Sequence, residues 1–288
     1  MFDIIIIGAG PAGMTAALYA ARAKKKIIML EALTYGGQTV NINKIDNYPV
    51  EAHITGFDFA TKLYEQVKEL GVEIHFEKAL EIKNFNDYKE VKTNENTYQG
   101  KTIIIATGSS KRKLGLEKED YFLGKGLSYC ATCDGAFYRD KVVAIIGSEE
   151  NAIEDAYYLA DICKKVYLIN PKEWKEIPNL KENMELKTNT KIMKLIGEKY
   201  LEAIKTDQEE IKVDALFVAI GQVPANEVFK NIIDMDSKGY IIAGEDCHTN
   251  IDGIYVAGDG RTKNLRQLVT ATADGAVAAT EAIKYINS

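Results

Sequence analysis

No stretch of the sequence approaches the roughly 20 consecutive apolar residues that a membrane-spanning helix needs. The Ile run after Met1-Phe2-Asp3 has no basic leader and is too short for a signal-peptide core, so a cytoplasmic protein is expected. Cysteine is scarce: four in 288 residues, too few for a structural disulfide framework. Histidine is scarcer still. His53, His75 and His248 are scattered without metal-ligand spacing, so zinc lacks a second ligand pair and no metal is expected. Positive charge is in deficit, with a net charge of -6, which disfavours general nucleic-acid binding. Two short basic clusters, Lys24-Lys25-Lys26 and Lys111-Arg112-Lys113, read as solvated surface. Cys163 and Cys247, distant from every other cysteine, read as buried small hydrophobes.

What is present is an ordinary globular composition, 46% apolar and 27% charged, with length enough for one large or two medium domains. Asp3–Ile7 is a short apolar strand, followed by Gly8-Ala9-Gly10-Pro11-Ala12-Gly13 and an Ala-rich helix to about Ala23. A second strand, Lys26–Leu30, ends at Glu31, 21 residues after Gly10. Strand, glycine turn, helix, strand and acidic residue make a complete dinucleotide-binding unit. In it Gly8 permits the tight turn, Gly10 lets backbone approach a pyrophosphate, and Gly13 lets helix and strand pack closely. The helix N-terminus faces the phosphate charge, and Glu31 accepts from a ribose hydroxyl.

A second unit of the same kind starts at Lys141: strand Val142–Ile146, a turn from Gly147, helix Asn151–Cys163 and strand Val166–Ile169. Runs ending at Thr107-Gly108 and at Gly221 read as added strands of the two units, and 253–259 as a strand closing on the acidic turn Gly258-Asp259. A small-residue-rich helix covers Val269–Ile286. The expected fold class is α/β, two Rossmann-like dinucleotide-binding domains stacked in one chain. The expected boundaries are a first domain at 1–112 and 247–288 and a central domain at 113–246.

The second turn departs from its pattern. It reads Gly147-Ser148-Glu149-Glu150-Asn151-Ala152, so a carboxylate stands at Glu149 where bare backbone should meet pyrophosphate, and Glu150 adds another. Both suit a helix N-terminus electrostatically and repel a bound phosphate. The next strand ends Asn170-Pro171-Lys172, without an arginine pair for a 2′-phosphate; only Lys172 and Lys175 offer a partial substitute. Between the units lies Cys130-Ala131-Thr132-Cys133-Asp134, a dithiol whose spacing closes a small disulfide ring. Such a pair depresses one thiol pKa and gives a thiolate able to attack another disulfide, with Asp134 as the adjacent proton donor and acceptor.

Taken together, these motifs resemble the low-molecular-weight thioredoxin reductases over nearly the whole chain. The resemblance rests on Gly8–Gly13, Gly36-Gly37-Gln38, Asn47-Tyr48-Pro49, Ala106-Thr107-Gly108, Cys130–Asp134, Gly258-Asp259 and Arg266-Gln267-Leu268, in that order. It implies FAD in the outer domain, an inserted and degenerate NADPH-type domain carrying the CxxC, and a homodimer. Position by position, it implies Cys133 as the thiol facing the flavin, Cys130 as the one attacking thioredoxin, and Asp134 as the acid. Gly8, Gly10, Pro11, Ala12, Gly13, Glu31, Gly36, Gly37, Gln38, Asn47, Thr107, Gly108, Gly258, Asp259, Arg266, Gln267 and Leu268 would line the FAD.

Ordinary members carry a glycine-rich second turn and an arginine pair for NADPH, and the stretch from Pro171 to Lys212 is short for that domain, as though a helix were lost. The closer resemblance is to the ferredoxin-dependent flavin thioredoxin reductases, which implies ferredoxin as electron donor and thioredoxin as acceptor. Donor and acceptor at about -400 and about -270 mV differ by about 130 mV, or about 6 kcal/mol for two electrons. One cysteine pair cannot touch flavin and protein partner at once, so a rotation of the central domain is expected, hinged near Lys111–Lys113 and Gly244. Either basic cluster offers a docking surface for an acidic ferredoxin. The alternatives are an NADPH-dependent reductase with an atypical site, a flavin disulfide oxidoreductase with another donor or substrate, and a flavin module without turnover.

Overall fold

The computed structural model describes residues 1–42, 44–173 and 180–288. They form two compact units, 1–110 with 223–288 and 111–222. The first opens with β1 (Phe2–Ile7), α1 (Pro11–Arg22), β2 (Ile27–Leu30), α2 (Gly56–Glu69) and β3 (Ile74–His75). It continues with β4 (Ala79–Asn84), β5 (Lys89–Thr93) and β6 (Thr97–Ile105), and the chain leaves it along β7 (Ser109–Lys111). The second unit holds α3 (Glu119–Phe122), β8 (Leu127–Ser128), α4 (Ala131–Asp134), β9 (Val142–Ile146), α5 (Glu150–Ile162) and β10 (Lys165–Ile169). Then come β11 (Met184–Lys187), β12 (Ile192–Ile196), β13 (Ala203–Thr206), β14 (Glu210–Lys212) and β15 (Ala215–Val218). The chain returns along β16 (Gln222–Pro224) to β17 (Ile254–Val256) and α6 (Leu268–Asn287).

In the first unit β3-β2-β1-β6 run parallel. One edge of β6 is shared: its start pairs antiparallel with β5, and its end, Ile103–Ile105, pairs parallel with β17. β1 is buried on both faces, as a central parallel strand must be. Ile4 and Ile6 pack with the alanines of α1 and α6, while Ile5 and Ile7 pack with Phe229, Ile233 and Ile241. The two helices meet through small residues, Ala12, Ala16 and Ala20 against Ala278, Ala279 and Ala282. Their approach requires glycine at 275, where a Cβ would lie 2.2 Å from the Ala12 carbonyl oxygen.

The second unit repeats the plan as a fully parallel sheet, β11-β10-β9-β15-β8. Along β9, Val143 and Ile145 face Ala156 and Leu159 of α5, while Ala144 and Ile146 face Leu195, Ile204 and Ile211 of the antiparallel sheet β12-β13-β14. Among the described residues between Pro171 and Lys212 there are strands β11–β14 and the turns joining them but no helix.

The boundary expected at 246/247 falls instead at 222/223. Residues 223–246 belong to the first unit because Phe229, Ile233, Ile241 and Ala243 fill the face of its sheet opposite α1 and α6. Gly244 is therefore not at a crossing; the return strand is β16, preceded by Gly221 at φ +94°. Among the described residues no helix is long and apolar enough to cross a membrane, and no group of three or more His, Cys, Asp or Glu residues is placed to hold a metal ion.

Candidate functional site

Two centres, one in each unit, carry the residues singled out by the sequence. In the first unit β1 delivers the chain into Gly8-Ala9-Gly10, and Pro11 opens α1, where its fixed φ suits the first helical position and its missing N–H costs nothing. A Cβ at Gly8 (φ +109°) would lie 2.3 Å from the Ala106 carbonyl oxygen, and one at Gly13 would lie 1.9 Å from that of Gly8. At Gly10 a Cβ would meet nothing within 4 Å. The turn is thus closed by packing at its ends and open over bare backbone in the middle, as a dinucleotide pyrophosphate requires.

Of the other expected cradle residues, Glu31, Gly36, Gly37 and Gly258 come to this turn from separate parts of the chain. The Gly36 N–H donates to the Ala9 carbonyl at 2.7 Å, and a Cβ on Gly37 would lie 3.4 Å from the Gly10 Cα. Gln38 follows on an exposed 3-10 turn. Glu31, at the end of β2, accepts from the Ala9 N–H (2.8 Å) through Oε2 and from the Leu33 N–H (2.9 Å) through Oε1. Each carboxylate oxygen has a second lone pair, so ribose recognition remains open to it. The Asn47 amide donates to the Gln267 side-chain oxygen at 3.1 Å, and Gln267 caps α6, whose first residue is Leu268. Gly258 (φ +82°) presses on α1: a Cβ there would be 2.9 Å from that of Ala12.

Thr107 donates through its hydroxyl to Asn226 Oδ1 at 3.1 Å, and the Gly108 carbonyl accepts from the Ala225 N–H. The Arg266 guanidinium lies 4.0 Å above the Tyr240 ring and donates to the carbonyls of Arg261, Lys263 and Asp259, so it holds the 258–266 loop in shape.

Sequence reasoning missed the group that fixes this loop. Asp274, buried on α6, accepts from Arg261 Nη2 (2.8 Å) and Nε (2.9 Å), Lys263 Nζ (2.8 Å) and the Gly258 N–H (2.9 Å). Burial alone would raise its carboxyl, but the hydrogen bonds from Arg261 and Lys263 hold it below the usual carboxylate range. Asn226 was missed as well; its amide donates to the carbonyls of Gly260 (2.7 Å) and Gly239 (3.0 Å). The one signal for Asp274 is an acidic residue inside an otherwise small and apolar helical stretch.

In the second unit Cys130 and Cys133 form a disulfide with Cα atoms 5.3 Å apart. Cys130 caps the short turn α4, and the Cys133 N–H donates to its Sγ at 3.2 Å. Asp134 ends that turn. Burial raises its carboxyl above the ordinary value, and the hydroxyl of the buried Ser128, donating to Oδ2 at 2.6 Å, acts in the opposite direction. The preceding loop is anchored by the buried Glu119, which accepts from the N–H groups of Leu114 (2.8 Å) and Gly115 (2.8 Å) and from the Tyr129 hydroxyl (2.6 Å).

Cys163 and Cys247 are free thiols, both buried. At the second dinucleotide-type turn a Cβ on Gly147 would lie 2.3 Å from that of Ala152, the packing expected of a glycine turn. Glu149 caps α5 in the position matching Gly10, and both it and Glu150 are exposed. Lys172 is exposed, and Lys175 lies outside the described residues.

Residues 2–275 match the family model described as pyridine nucleotide-disulphide oxidoreductase. A thioredoxin reductase from Listeria monocytogenes is 36% identical, over 99% of this chain and 94% of its own length. The crystal structure of thioredoxin reductase from Streptococcus pyogenes superposes with a TM-score of 0.94 at 35% identity, covering 100% of this chain and 98% of that one. A ferredoxin-flavin thioredoxin reductase from Clostridium acetobutylicum is 33% identical with a TM-score of 0.57, covering 99% and 97% of the two chains. With a dinucleotide cradle in one unit and a disulfide in the other, the chain belongs to the pyridine nucleotide-disulphide oxidoreductase family and is a flavoprotein with FAD as its cofactor.

Proposed function

We propose that the protein is a thioredoxin-disulfide reductase driven by reduced ferredoxin, working as a cytoplasmic homodimer. The Gly8–Gly13 turn would hold FAD, Glu31 would accept from its ribose, and the segments Gly36–Gln38, Asn47, Thr107-Gly108, Gly258-Asp259 and Arg266–Leu268 would line it. When bound, the flavin converts one-electron supply into two-electron disulfide chemistry. Cys133 takes the electron pair, the Cys130–Cys133 bond opens, and Asp134 supplies a proton to a departing sulfur. Cys130, once it has returned its proton to the Asp134 carboxylate, then attacks the thioredoxin disulfide as a thiolate. The Cys133 N–H that donates to Cys130 Sγ favours the charged form of that sulfur.

The observation that carries the choice of donor is Glu149 with Glu150 at the second turn. Two exposed carboxylates stand at the turn where a nicotinamide nucleotide would place its pyrophosphate, and like charges brought together there repel. The similarity to a protein described as a ferredoxin-flavin thioredoxin reductase supports the same reading. A second reading, NADPH as donor, draws support from the intact parallel sheet and the closely packed Gly147 turn of that unit.

Anaerobic mixing separates the two. Reduced ferredoxin is expected to bleach the flavin absorbance and NADPH to leave it unchanged, with thioredoxin reduced only in the first case. Rapid bleaching by NADPH would overturn the reading of Glu149 and Glu150.

A further inference from the structure

The second unit contains a polar side chain that the redox reading leaves unused. Ser128 lies at the end of β8, 3% exposed, two residues before the first cysteine. Its hydroxyl has one proton to give and two neighbouring acceptors, Asp134 Oδ2 at 2.6 Å and the Cys130 carbonyl at 3.3 Å. The shorter, charge-assisted contact takes it. The same oxygen accepts from the Cys130 N–H at 3.0 Å. A continuous relay results, Cys130 N–H to Ser128 Oγ–H to Asp134 carboxylate.

We propose that Ser128 is the positioning residue of the redox centre, joining the Asp134 acid to the Cys130 backbone so that carboxyl and disulfide move as one. The inference rests on the reading of Cys130, Cys133 and Asp134 as the reactive group. Opening the disulfide takes two electrons, breaks the Sγ–Sγ bond and leaves two sulfurs that take up two protons. Asp134 delivers one proton and is left as the carboxylate; the other comes from solvent. The Ser128 hydroxyl binds the form that Asp134 becomes after giving up its proton. A side chain with this contact stabilises the product state of the proton transfer and fixes its geometry.

The surroundings leave this role to Ser128. Burial raises the Asp134 carboxyl, and the Ser128 hydroxyl opposes that rise. Behind the turn, α5 presents Leu159, Ile162 and Tyr158 to Gly135, with side-chain carbons 3.0 to 3.1 Å from where a Cβ would be. Tyr138, on the next turn, is pushed up chiefly by its own burial and then by the Asp134 charge.

Three measurements on the holoprotein test the inference. In Ser128→Ala the Asp134 carboxyl, followed by carbon NMR in the oxidised protein, is expected to titrate about one pH unit higher, because a hydrogen bond to its charged form is gone. The rate at which dithiothreitol opens the disulfide, at fixed thiolate concentration, is expected to fall several-fold on the acidic plateau, where Asp134 is protonated in both proteins, because the weaker acid gives up its proton less readily. Its alkaline limb should move up with the carboxyl, and Ser128→Thr, which keeps the hydroxyl, should restore both. In the unmodified protein the Cys130 amide resonance should show an inflection at the Asp134 titration and lose it in Asp134→Asn. This last measurement stands even if Ser128→Ala fails to fold.

A folded Ser128→Ala with unshifted titration and rate, or a Cys130 amide blind to Asp134, overturns the inference while thioredoxin reduction persists. Failure of the unmodified protein to reduce thioredoxin overturns the functional reading while leaving the titration shift in place.

Discussion

Cys130 and Cys133 share a bond but not an environment. Cys130 receives the Cys133 N–H on its sulfur and is tied through its own N–H to Ser128, while Cys133 is linked through the next residue to the buried acid. The remaining two thiols are held out of the chemistry. Burial pushes Cys163 up to about 11 and Cys247 up to about 12, so neither is a thiolate at neutral pH. Cys133→Ser is therefore expected to trap one covalent adduct with oxidised thioredoxin, through Cys130 alone. Mass spectrometry of the complex checks this, and an adduct at Cys163 or Cys247 would contradict it. The Cys130–Cys133 pair was legible in sequence because two-residue spacing is itself chemical information; the separate roles of its two sulfurs rest on the family resemblance. Ser128 was not legible, since nothing in Gly126-Leu127-Ser128 shows that β8 aims a hydroxyl at a residue six positions on.

Among the elements, α1 and α6 define the first unit, and Asp274 is the charge they are built around. Replacing it with Asn leaves the buried Lys263 without this carboxylate and Arg261 with only the exposed Glu245, 3.7 Å away, and loss of one partner from a buried ionic cluster costs about 3–5 kcal/mol. Asp274→Asn is expected to lower the melting temperature by several degrees and to weaken FAD retention, read by free-flavin fluorescence after gel filtration. Retained flavin and an unchanged melting temperature would show that the cluster does not anchor the loop. The pH dependence has a definite sign. The folded carboxyl lies below its unfolded value, so its contribution is complete at neutral pH and disappears as pH falls below about 4. The glycine-turn elements were legible to within a residue or so because their periodicity and punctuation are local: helix expected at Asn151–Cys163, found at Glu150–Ile162. Residues 223–246 were not, because Phe229, Ile233 and Ile241 are separated by the turn at 236–239 and form no sustained helical or alternating run. They gain a place only against the sheet made by β1, β6 and β17.

At the scale of the whole molecule, charge would govern encounter with the acidic ferredoxin proposed as donor. The protein carries a net charge of -6, so any attraction must come from local patches. Of the cluster Lys111–Lys113, Lys113 already contacts Asp120 at 2.6 Å. In Lys24–Lys26, Lys24 is exposed at the end of α1, Lys25 donates to Asn287, and Lys26 lies 5.0 Å over the Phe2 ring. Lys24→Glu with Lys25→Glu is expected to slow flavin reduction by ferredoxin several-fold at low salt and to flatten its ionic-strength dependence. An unaltered salt dependence in stopped-flow traces would move the docking surface elsewhere.

The way the chain leaves the first unit along β7 and re-enters it along β16 has a consequence for biosynthesis. Residues 111–222 have left the ribosome before β17 and α6 exist, so the dithiol unit can fold while its host is still half made. During that interval the face of β1 and α1 destined for Ala278, Ala279 and Ala282 is bare, and Gly258 has not yet arrived beside Ala12. If FAD binds at this turn as proposed, its capture is expected to wait for α6, and a chain interrupted before α6 would carry the disulfide unit without the flavin that drives it.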